Sequence, residues 1–510
     1  MKIIPALPAA PLTQTVIDMI RARAPMHPTR DAVICGTTRR SWRDFSTCTN
    51  QAAQALMALG VKKGSRVAML SPNSVAMAEL FIATLKAGAI AVPLSSMASP
   101  EALAGMLTDC EAEVFFLASS YAELGAQAVA RAPRVFDPEG QEWQSLCEKQ
   151  PDLDPNVAVE MEDGFNIIYS SGTTGVPKGI LHSHAMRAAQ MDRITPNGYD
   201  AEARTLLSTP LCSNTTLVSF LPTLAGGSTA ILMAKFDAKT WLELAEREAV
   251  THTMLVPVLF RRLLDHPAFT RDLTKGVRLF VSGSAPLLAE THGRFEERTG
   301  HRILERYGMT ETNMNTSNPY DGDRRAGTVG LPLPGVELKI TDPATGATLP
   351  QGEVGVIEVR GANVFQGYWQ MPEKTREELR EDGFFITGDL ARMDADGYVT
   401  IIGRGKDLII SGGFNVYPKE VETLLDEQPG VLESAVIGVP HPDLGEVAVG
   451  ILVRQKGQEP DLDQIAAAMG QALARFKQPR TLIVVDELPR NTMGKVQKNI
   501  LRQSYGGLFS

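Results

Sequence analysis

The fold is decided within residues 65–94, which contain Ser65-Arg-Val-Ala-Met-Leu70, then apolar side chains at helical spacing over residues 74–87, then Ala89-Ile-Ala-Val-Pro-Leu94. Strand, helix and strand in this order predict a βαβ unit with two parallel strands and a covering helix. Similar apolar runs recur at Val114-Phe-Phe-Leu117, Phe165-Asn-Ile-Ile-Tyr169, Thr229-Ala-Ile-Leu-Met233, His252-Thr-Met-Leu-Val256 and Leu279-Phe-Val281. The sequence therefore predicts an α/β fold, with mostly parallel sheets covered by helices, over at least the first 330 residues.

The pattern changes between Gly335 and Ile402, where apolar and polar residues alternate between turns. This alternation predicts an antiparallel subdomain with one face towards solvent. The short charged segment Gly403-Arg-Gly-Lys-Asp407 follows, and about 100 residues with their own strands and helices lie beyond it. We therefore expect a large domain over residues 1–403, a junction at 404–407 and a small α+β domain over 408–510.

Composition excludes several classes of protein. The 510 residues include 50 Lys plus Arg and 59 Asp plus Glu, a net charge of −9, whereas proteins that coat nucleic acid are normally basic. The five cysteines are odd in number and form no CxxC pair, which favours a reducing, cytoplasmic location. We expect no membrane span, because no window approaches 18 uninterrupted apolar residues.

The strongest motif is Tyr169-Ser-Ser-Gly-Thr-Thr-Gly-Val-Pro-Lys-Gly179, which follows an apolar run. Its glycines let backbone N–H groups approach an anion, and the strand-then-loop order is typical of phosphate sites. The order GxxGxxKG differs from that of a Walker A motif. An exposed turn rich in Ser and Thr is the alternative interpretation. The candidate phosphate-binding residues are Ser170, Ser171, Gly172, Thr173, Thr174, Gly175 and Lys178.

This loop resembles the signature of adenylate-forming enzymes, which include acyl-CoA synthetases, firefly luciferase and peptide-synthetase adenylation domains. Further matching motifs follow in the expected order: Gly283-Ser-Ala-Pro286, Tyr307-Gly-Met-Thr-Glu-Thr312, Thr387-Gly-Asp-Leu390, Gly403-Arg-Gly-Lys-Asp407, Ser411-Gly-Gly-Phe-Asn-Val-Tyr-Pro418 and Pro489-Arg-Asn-Thr-Met-Gly-Lys495. The resemblance extends from about residue 15 to residue 503.

The resemblance implies a role for each matching residue and implies ATP, Mg²⁺ and coenzyme A as cofactors. Lys495, Thr310 and Glu311 would be catalytic, with Glu311 as the Mg²⁺ ligand, since a carboxylate is a hard oxygen donor. The small domain would be mobile, with its pivot at Lys406 in a hinge over residues 404–407. The resemblance also implies that Asp389 and Arg404 contact the ribose and that Ser411, Gly412 and Gly413 contact pantetheine. The implied contacts of adenine and the neighbouring groups are Gly283, Ser284, Ala285, Pro286, Glu305, Arg306, Tyr307, Gly308 and Met309.

The segment from Val277 to about Ile500 looks especially similar to malonyl-CoA synthetase. Malonate carries a second carboxylate, whose burial requires a cation. Strand alternation places Arg278 on one face with Ser282, so we predict that Arg278 binds this group. A strand-edge arginine in a structural ion pair is the alternative.

The segment Pro210-Leu-Cys-Ser-Asn-Thr-Thr216 departs from the malonyl-CoA synthetase pattern, which has histidines and an aromatic residue here. Its small polar side chains suit a short or polar acid, or leave room for a larger one. Ser282, Asn214 and Thr215 are candidate acid contacts. His182 and His184 are either proton carriers or packing residues beside the nucleotide.

We therefore expect an ATP-dependent acid–CoA ligase that forms an acyl-adenylate and pyrophosphate, and then a thioester and AMP. Malonate or another small acid is the expected substrate. The alternatives are an aromatic or medium-chain acid, a carrier protein in place of coenzyme A, and a nucleotide-binding module without activity. Nucleic acid is not an expected partner.

Overall fold

The predicted βαβ unit forms as strand Arg66–Leu70, helix Val75–Lys86 and strand Ile90–Pro93. The structure is a computed structural model that describes residues 13–170, 177–194, 197–490 and 495–509. The two strands pair in parallel, with Arg66 opposite Ile90. Ser74 begins the helix by accepting a hydrogen bond from the Met77 N–H. Apolar residues occupy nearly every side of this helix, as expected of one buried on all sides.

A seven-stranded sheet is built around this unit. Four pairings are parallel, and two at one edge are antiparallel. In spatial order its strands are Gly367–Tyr368, Lys178–Ser183, Gly164–Ser170, Ile90–Pro93, Arg66–Leu70, Val114–Leu117 and Val135–Phe136.

A second sheet has nine strands, with a parallel centre and antiparallel edges. In spatial order they are Leu331–Pro332, Asn313–Ser317, Leu304–Met309, Leu279–Ser282, His252–Leu255, Arg204–Leu207, Thr229–Leu232, Asp31–Cys35 and Thr38–Ser41.

Helices cover both sheets and fill the space between them. One apolar cluster joins Phe81 and Phe165 to Trp42, Phe45 and Phe220, so residues of both sheets share a core. The helices of this part of the chain are Val16–Arg21, Arg23–Met26, Trp42–Ala58, Val75–Lys86, Pro100–Cys110, Ala122–Val129, Gln141–Glu148, His184–Ile194, Asn214–Ala225, Ala238–Arg247, Pro257–Leu264, Arg271–Thr274, Ala289–Thr299 and Pro372–Glu378. The predicted α/β class is confirmed.

The alternating segment after Gly335 forms a four-stranded sheet of Glu337–Thr341, Gly355–Arg360, Phe385–Met393 and Val399–Arg404. The last two strands pair in antiparallel fashion.

The final section of the chain has a sheet of its own and a separate apolar core. Its strands in spatial order are Phe414–Val416, Ile409–Ser411, Gly445–Arg454 and Val431–His441, and Thr481–Val485 pairs in parallel with Gly445–Arg454. Its helices are Pro418–Asp426, Leu462–Ala472 and Lys498–Tyr505.

The packing divides the chain into two compact units. Of the described residues, one unit contains Lys339–Glu358 and those from Ile386 onward, and the other contains those up to Leu338 together with Val359–Phe385. The predicted hinge over residues 404–407 is a finer division and stays a prediction. Among the described residues, no helix is both long and apolar enough to cross a membrane.

The shared core predicts a large loss of stability for Phe81→Ala. Phe81 is fully buried, with its ring centroid 6.2 Å from that of Phe165. We expect the variant to lose about 3–5 kcal/mol of unfolding free energy. Chemical denaturation followed by tryptophan fluorescence measures the loss, and Leu153→Ala, at a side chain 70% exposed, is the control. Equal stability of the two variants would contradict this description of the core.

Candidate active site

The predicted phosphate loop connects two antiparallel strands. Ser170 ends the strand Gly164–Ser170, Lys178 begins the strand Lys178–Ser183, and the two residues face each other across the hairpin. The predicted contacts Ser171, Gly172, Thr173, Thr174 and Gly175 lie outside the described residues. The hairpin therefore holds both ends of the candidate loop in the sheet.

A carboxylate and an aromatic ring hold Lys178. Its Nζ lies 3.7 Å from Glu378 Oε1 and 5.0 Å from the centroid of the Tyr368 ring. The Tyr368 hydroxyl donates to Glu378 Oε2 at 2.5 Å and lies 3.3 Å from Glu311 Oε1. Burial alone would raise the pKa of Glu378, but hydrogen bonds from Tyr368 and Lys374 hold it below its usual value. Tyr368 thus connects the predicted phosphate-binding lysine to the predicted metal-binding glutamate.

The predicted catalytic residues Thr310 and Glu311 lie in a turn between the strands Leu304–Met309 and Asn313–Ser317. Asn313 closes the turn with a left-handed φ of 54°, a conformation that Asn tolerates. A Cβ at Gly308 would lie 1.8 Å from the Asn313 carbonyl oxygen, so only glycine fits there. The local sequence therefore fixes the path of the turn.

Four consecutive carbonyl groups of this turn each accept a hydrogen bond from another part of the chain. Met309 accepts from Asn214 Nδ2 (3.3 Å), Thr310 from His182 Nε2 (2.7 Å), Glu311 from the Phe365 N–H (2.8 Å) and Thr312 from Asn363 Nδ2 (2.8 Å). Peptide planes held on successive carbonyls cannot rotate without losing these bonds, so the turn presents its side chains in fixed directions.

A second candidate segment follows the strand Leu279–Ser282 of the same sheet. Ser284 adopts a left-handed φ of 71°, an uncommon conformation for a residue with a side chain, and such conformations gather at functional sites. Its hydroxyl pairs with that of Thr215. The Ser282 hydroxyl is buried without a hydrogen-bond partner among the described residues. Ala285 is half-buried and Pro286 exposed as the chain continues.

Arg306 lies next to this segment. It is 6% exposed, and its carbonyl oxygen and Cγ lie 3.9 and 4.0 Å from the position of a Cβ at Gly283. Its Nη2 contacts Met254 Sδ at 2.8 Å and Ser219 Oγ at 3.3 Å, and its Nε has no partner among the described residues. Burial lowers the pKa of Arg306. The site thus contains a buried guanidinium that no described carboxylate neutralises.

Glu305 does not face Arg306. It is buried, with Oε1 3.6 Å from His292 Nδ1, and burial raises the pKa of its carboxyl group. Tyr307 is half-buried in the same strand. The roles of Glu305 and Tyr307 as nucleotide contacts stay predictions.

Arg278 lies at the opposite end of its strand from Gly283. Its two Nη atoms donate to the two carboxylate oxygens of Asp200 at 2.8 and 3.2 Å, and this pairing raises the pKa of Arg278. Sites in parallel sheets form at the carboxyl ends of strands, whereas Arg278 precedes its strand. The geometry matches a structural ion pair, and an acid-binding role for Arg278 stays a prediction.

The other compact unit contains the predicted ribose and hinge residues. Asp389 is buried opposite Arg404 in neighbouring strands, with Asp389 Oδ1 2.8 Å from Arg404 Nε. Lys406 lies in the turn Gly405–Asp407, and burial followed by the neighbouring Arg404 charge lowers its pKa. Arg502 holds Asp407 at 2.6 Å.

The predicted pantetheine and lysine positions belong to the same unit. Ser411 is buried and pairs with Gly445, and Gly412 and Gly413 turn the hairpin with φ values of 58° and 84°. Lys495 is exposed beside an isolated bridge between Arg490 and Val496. No motif in the sequence pointed to Tyr368 or Glu378, since each is brought to the site only by the fold.

Both family models that match the chain describe parts of one type of enzyme. The AMP-binding enzyme model matches residues 20–369, and the model of the AMP-binding enzyme C-terminal domain matches residues 420–495.

Individual proteins are similar over almost the whole chain. A feruloyl-CoA synthase from an Amycolatopsis species is 35% identical over 95% of this chain and 98% of its own, and a malonate–CoA ligase from Arabidopsis thaliana is 32% identical over 91% and 81%. The crystal structure of ATP-bound MatB from Rhodopseudomonas palustris superposes with a TM-score of 0.93 at 42% identity, covering 97% of this chain and 99% of the other.

The fixed turn predicts that Gly308→Ala weakens nucleotide binding. The added Cβ would collide with the Asn313 carbonyl and displace Thr310 and Glu311. We expect the affinity for MgATP, measured by calorimetry, to fall about tenfold or more, in line with the usual cost of overpacking. Gly276→Ala, at an exposed glycine with open space around its Cβ, is the matched control. Wild-type affinity in Gly308→Ala would show that the turn does not contact the nucleotide.

Proposed function

Because the chain belongs to the AMP-binding enzyme family, we propose that it joins a small dicarboxylic acid, with malonate as the first candidate, to coenzyme A at the expense of ATP. The predicted enzyme class, an AMP-forming acid–thiol ligase, is confirmed because relatives that match over almost the whole chain are CoA ligases and synthetases. The identity of the acid is the new part of the proposal, and it depends on the environment of Arg306.

The buried Arg306 guanidinium is the observation that carries the proposal. Burying a charge without a partner is costly, and proteins normally neutralise it with an acidic side chain. No described acidic residue pairs with Arg306, whereas Arg278 already has Asp200. A carboxylate of the substrate would supply the missing charge through a planar, two-pronged contact. A dicarboxylate can do this while its other carboxylate reacts.

The surroundings of Arg306 suit a short acid. Gly283, Met254 and Ser219 contact or flank its side chain, and Tyr199 and Val218 are buried in the same part of the core. This lining is largely apolar, so the guanidinium would provide most of the polar recognition. The malonate–CoA ligase relative supports malonate as the first acid to test.

In the first step, an oxygen of the reacting carboxylate attacks the α-phosphorus of ATP, and the bond from that phosphorus to the bridging oxygen breaks to release pyrophosphate. Negative charge on the phosphates grows, so fixed cations and donors accelerate the step. Lys178, at the end of the loop hairpin, and Lys495 would supply positive charge, and Thr310 a hydroxyl. Asp389 and Arg404 would bind the ribose.

Mg²⁺ fits the half-buried carboxylate of Glu311, which Tyr368 orients from one side. When bound there, it would neutralise phosphate charge. In the second step, the thiolate of coenzyme A attacks the acyl carbon and AMP leaves. Ser411, Gly412 and Gly413 are the proposed pantetheine contacts, and the proposal includes a hinge at residues 404–407.

An aromatic monocarboxylic acid is the second candidate, since the feruloyl-CoA synthase relative is similar over almost its whole length. Loading of a carrier protein in place of coenzyme A is the third candidate and is distinguished by supplying both acceptors.

A panel of carboxylic acids tests the proposal directly. We expect pyrophosphate release that requires ATP, Mg²⁺ and an acid, with malonate the best substrate and propionate and ferulate weaker. Thioester should form only after coenzyme A is added. Pyrophosphate release is measured with a coupled assay, and failure of every acid, or preference for ferulate over malonate, would contradict the proposal.

Arg306→Met tests the proposed carboxylate contact. Removing one partner of a buried charge pair should raise the KM for malonate about 30-fold or more, while the KM for propionate changes little. Arg278→Met is the matched control, because it removes an arginine that is already paired with Asp200.

Equal effects of Arg306→Met on malonate and propionate would remove Arg306 from the acid site. A selective loss of malonate activity in Arg278→Met would restore the original sequence-based prediction for that residue.

A further inference from the structure

Arg187 is fully buried in the helix His184–Ile194 and is surrounded by neutral hydrogen-bond acceptors. Its Nε and Nη2 donate to Asn166 Oδ1 at 3.1 and 2.9 Å, its Nη1 to Asn214 Oδ1 at 2.8 Å and its Nη2 to His182 Nδ1 at 2.7 Å. Among the described residues none forms an ion pair with it. Burial lowers the pKa of Arg187 to about 9, so the side chain is still charged at neutral pH.

This arginine helps to orient two of its partners, His182 and Asn214. Because His182 Nδ1 accepts from Arg187, the proton of the neutral ring is on Nε2, which donates to the Thr310 carbonyl. Burial and then the Arg187 charge hold the pKa of His182 well below its usual value, so the ring is neutral. Likewise, because Asn214 Oδ1 accepts from Arg187, its amide group is directed at the Met309 carbonyl.

The same helix also holds the far end of the turn. Gln190 Oε1 accepts from Asn313 Nδ2 at 2.7 Å, and the Met186 carbonyl lies 3.5 Å from that nitrogen. The helix therefore contacts Asn313 directly, and it is linked to Met309 and Thr310 through Asn214 and His182.

Burying a charge that has only neutral partners costs more free energy than filling the same volume with apolar side chains. The arginine has a use that offsets this cost if its neighbours must be held in one orientation. A guanidinium only donates hydrogen bonds, so each neighbour must turn an acceptor atom towards it. An apolar side chain would leave only Asn166 Nδ2, at 3.2 Å, as a donor to His182 Nδ1 among the described residues, and it would remove the donor that orients the Asn214 amide.

We propose that Arg187 is a positioning residue for adenylation, which through His182 and Asn214 holds the carbonyls of Met309 and Thr310 and so aims the side chains of Thr310 and Glu311. This inference rests on the proposed function, in which those two side chains contact the phosphates and Mg²⁺.

Paired substitutions separate positioning from packing. His182→Gln retains an acceptor for Arg187 and a donor for Thr310, whereas His182→Leu removes both. Asn214→Asp gives Arg187 a carboxylate partner but removes the donor to Met309. Lys86→Met is the control for loss of a buried cation, because Lys86 is 2% exposed and its partners are Asn50 and Asp154.

The measured quantities are pyrophosphate release with malonate, thioester formation from supplied malonyl-adenylate, and the melting temperature. We expect His182→Leu and Asn214→Asp to reduce kcat of adenylation about tenfold to a hundredfold, the usual effect of losing a buried hydrogen bond at a reacting group. Thioester formation should change less than threefold, and His182→Gln should recover about tenfold of the rate lost in His182→Leu. Lys86→Met should lower the melting temperature without this selectivity.

Equal losses in His182→Leu and His182→Gln would overturn the proposal, as would parallel losses in both half-reactions. So would full adenylation activity in Asn214→Asp, since that variant keeps Arg187 well paired.

Calorimetric titration with MgATP keeps the inference separate from the proposed acid. If no acid supports pyrophosphate release by the wild-type enzyme, the proposed function fails, yet MgATP should still bind more weakly to His182→Leu than to His182→Gln. Equal affinities of those two variants would overturn the positioning role alone.

Discussion

The turn from Met309 to Asn313 is the constraint on which the candidate site depends. Its four consecutive carbonyls are held by Asn214, His182, Phe365 and Asn363, which come from three separate segments of the chain. Gly308 lies so close to the Asn313 carbonyl that no side chain fits between the two paired strands at this point. A phosphate-transferring site gains most from such rigidity, since its donors and charges must be in place before the reaction begins.

Buried positive charge is the second property of the site. The chain as a whole is acidic, with a net charge of −9, yet Arg187 and Arg306 are both buried without a described acidic partner. They differ in what surrounds them. The three guanidinium nitrogens of Arg187 all donate hydrogen bonds within the protein, which suits a residue that orients others. Arg306 retains a buried nitrogen without a partner, which suits a residue that receives an anion.

The parts of the fold that depend on local patterns were predictable from the sequence. The βαβ unit around Arg66–Leu70, the strand before the phosphate loop and the antiparallel strands before Arg404 all formed as predicted, because periodicity of apolar residues reports burial directly. Alternation also placed Arg278 at the strand containing Ser282. Alternation predicts which face of a strand a side chain lies on, but it does not predict which end of the strand lies at the site.

The contacts that organise the site could not be predicted in this way. Tyr368 and Glu378 reach Lys178 from 190 and 200 residues further along the chain, and Arg187 acts on Thr310 through a histidine. Such contacts depend on how sheets and helices pack, and no spacing within the sequence encodes them. Asn214 illustrates the same limit: its place near the site was predicted, whereas its bond to the Met309 carbonyl follows from Arg187.

A crystal structure of the enzyme with a non-hydrolysable analogue of malonyl-adenylate tests the central claim most directly. We predict that the free carboxylate lies within hydrogen-bonding distance of the Arg306 guanidinium while the phosphate meets the turn at Thr310. A free carboxylate bound away from Arg306, or a phosphate bound away from this turn, would contradict the account.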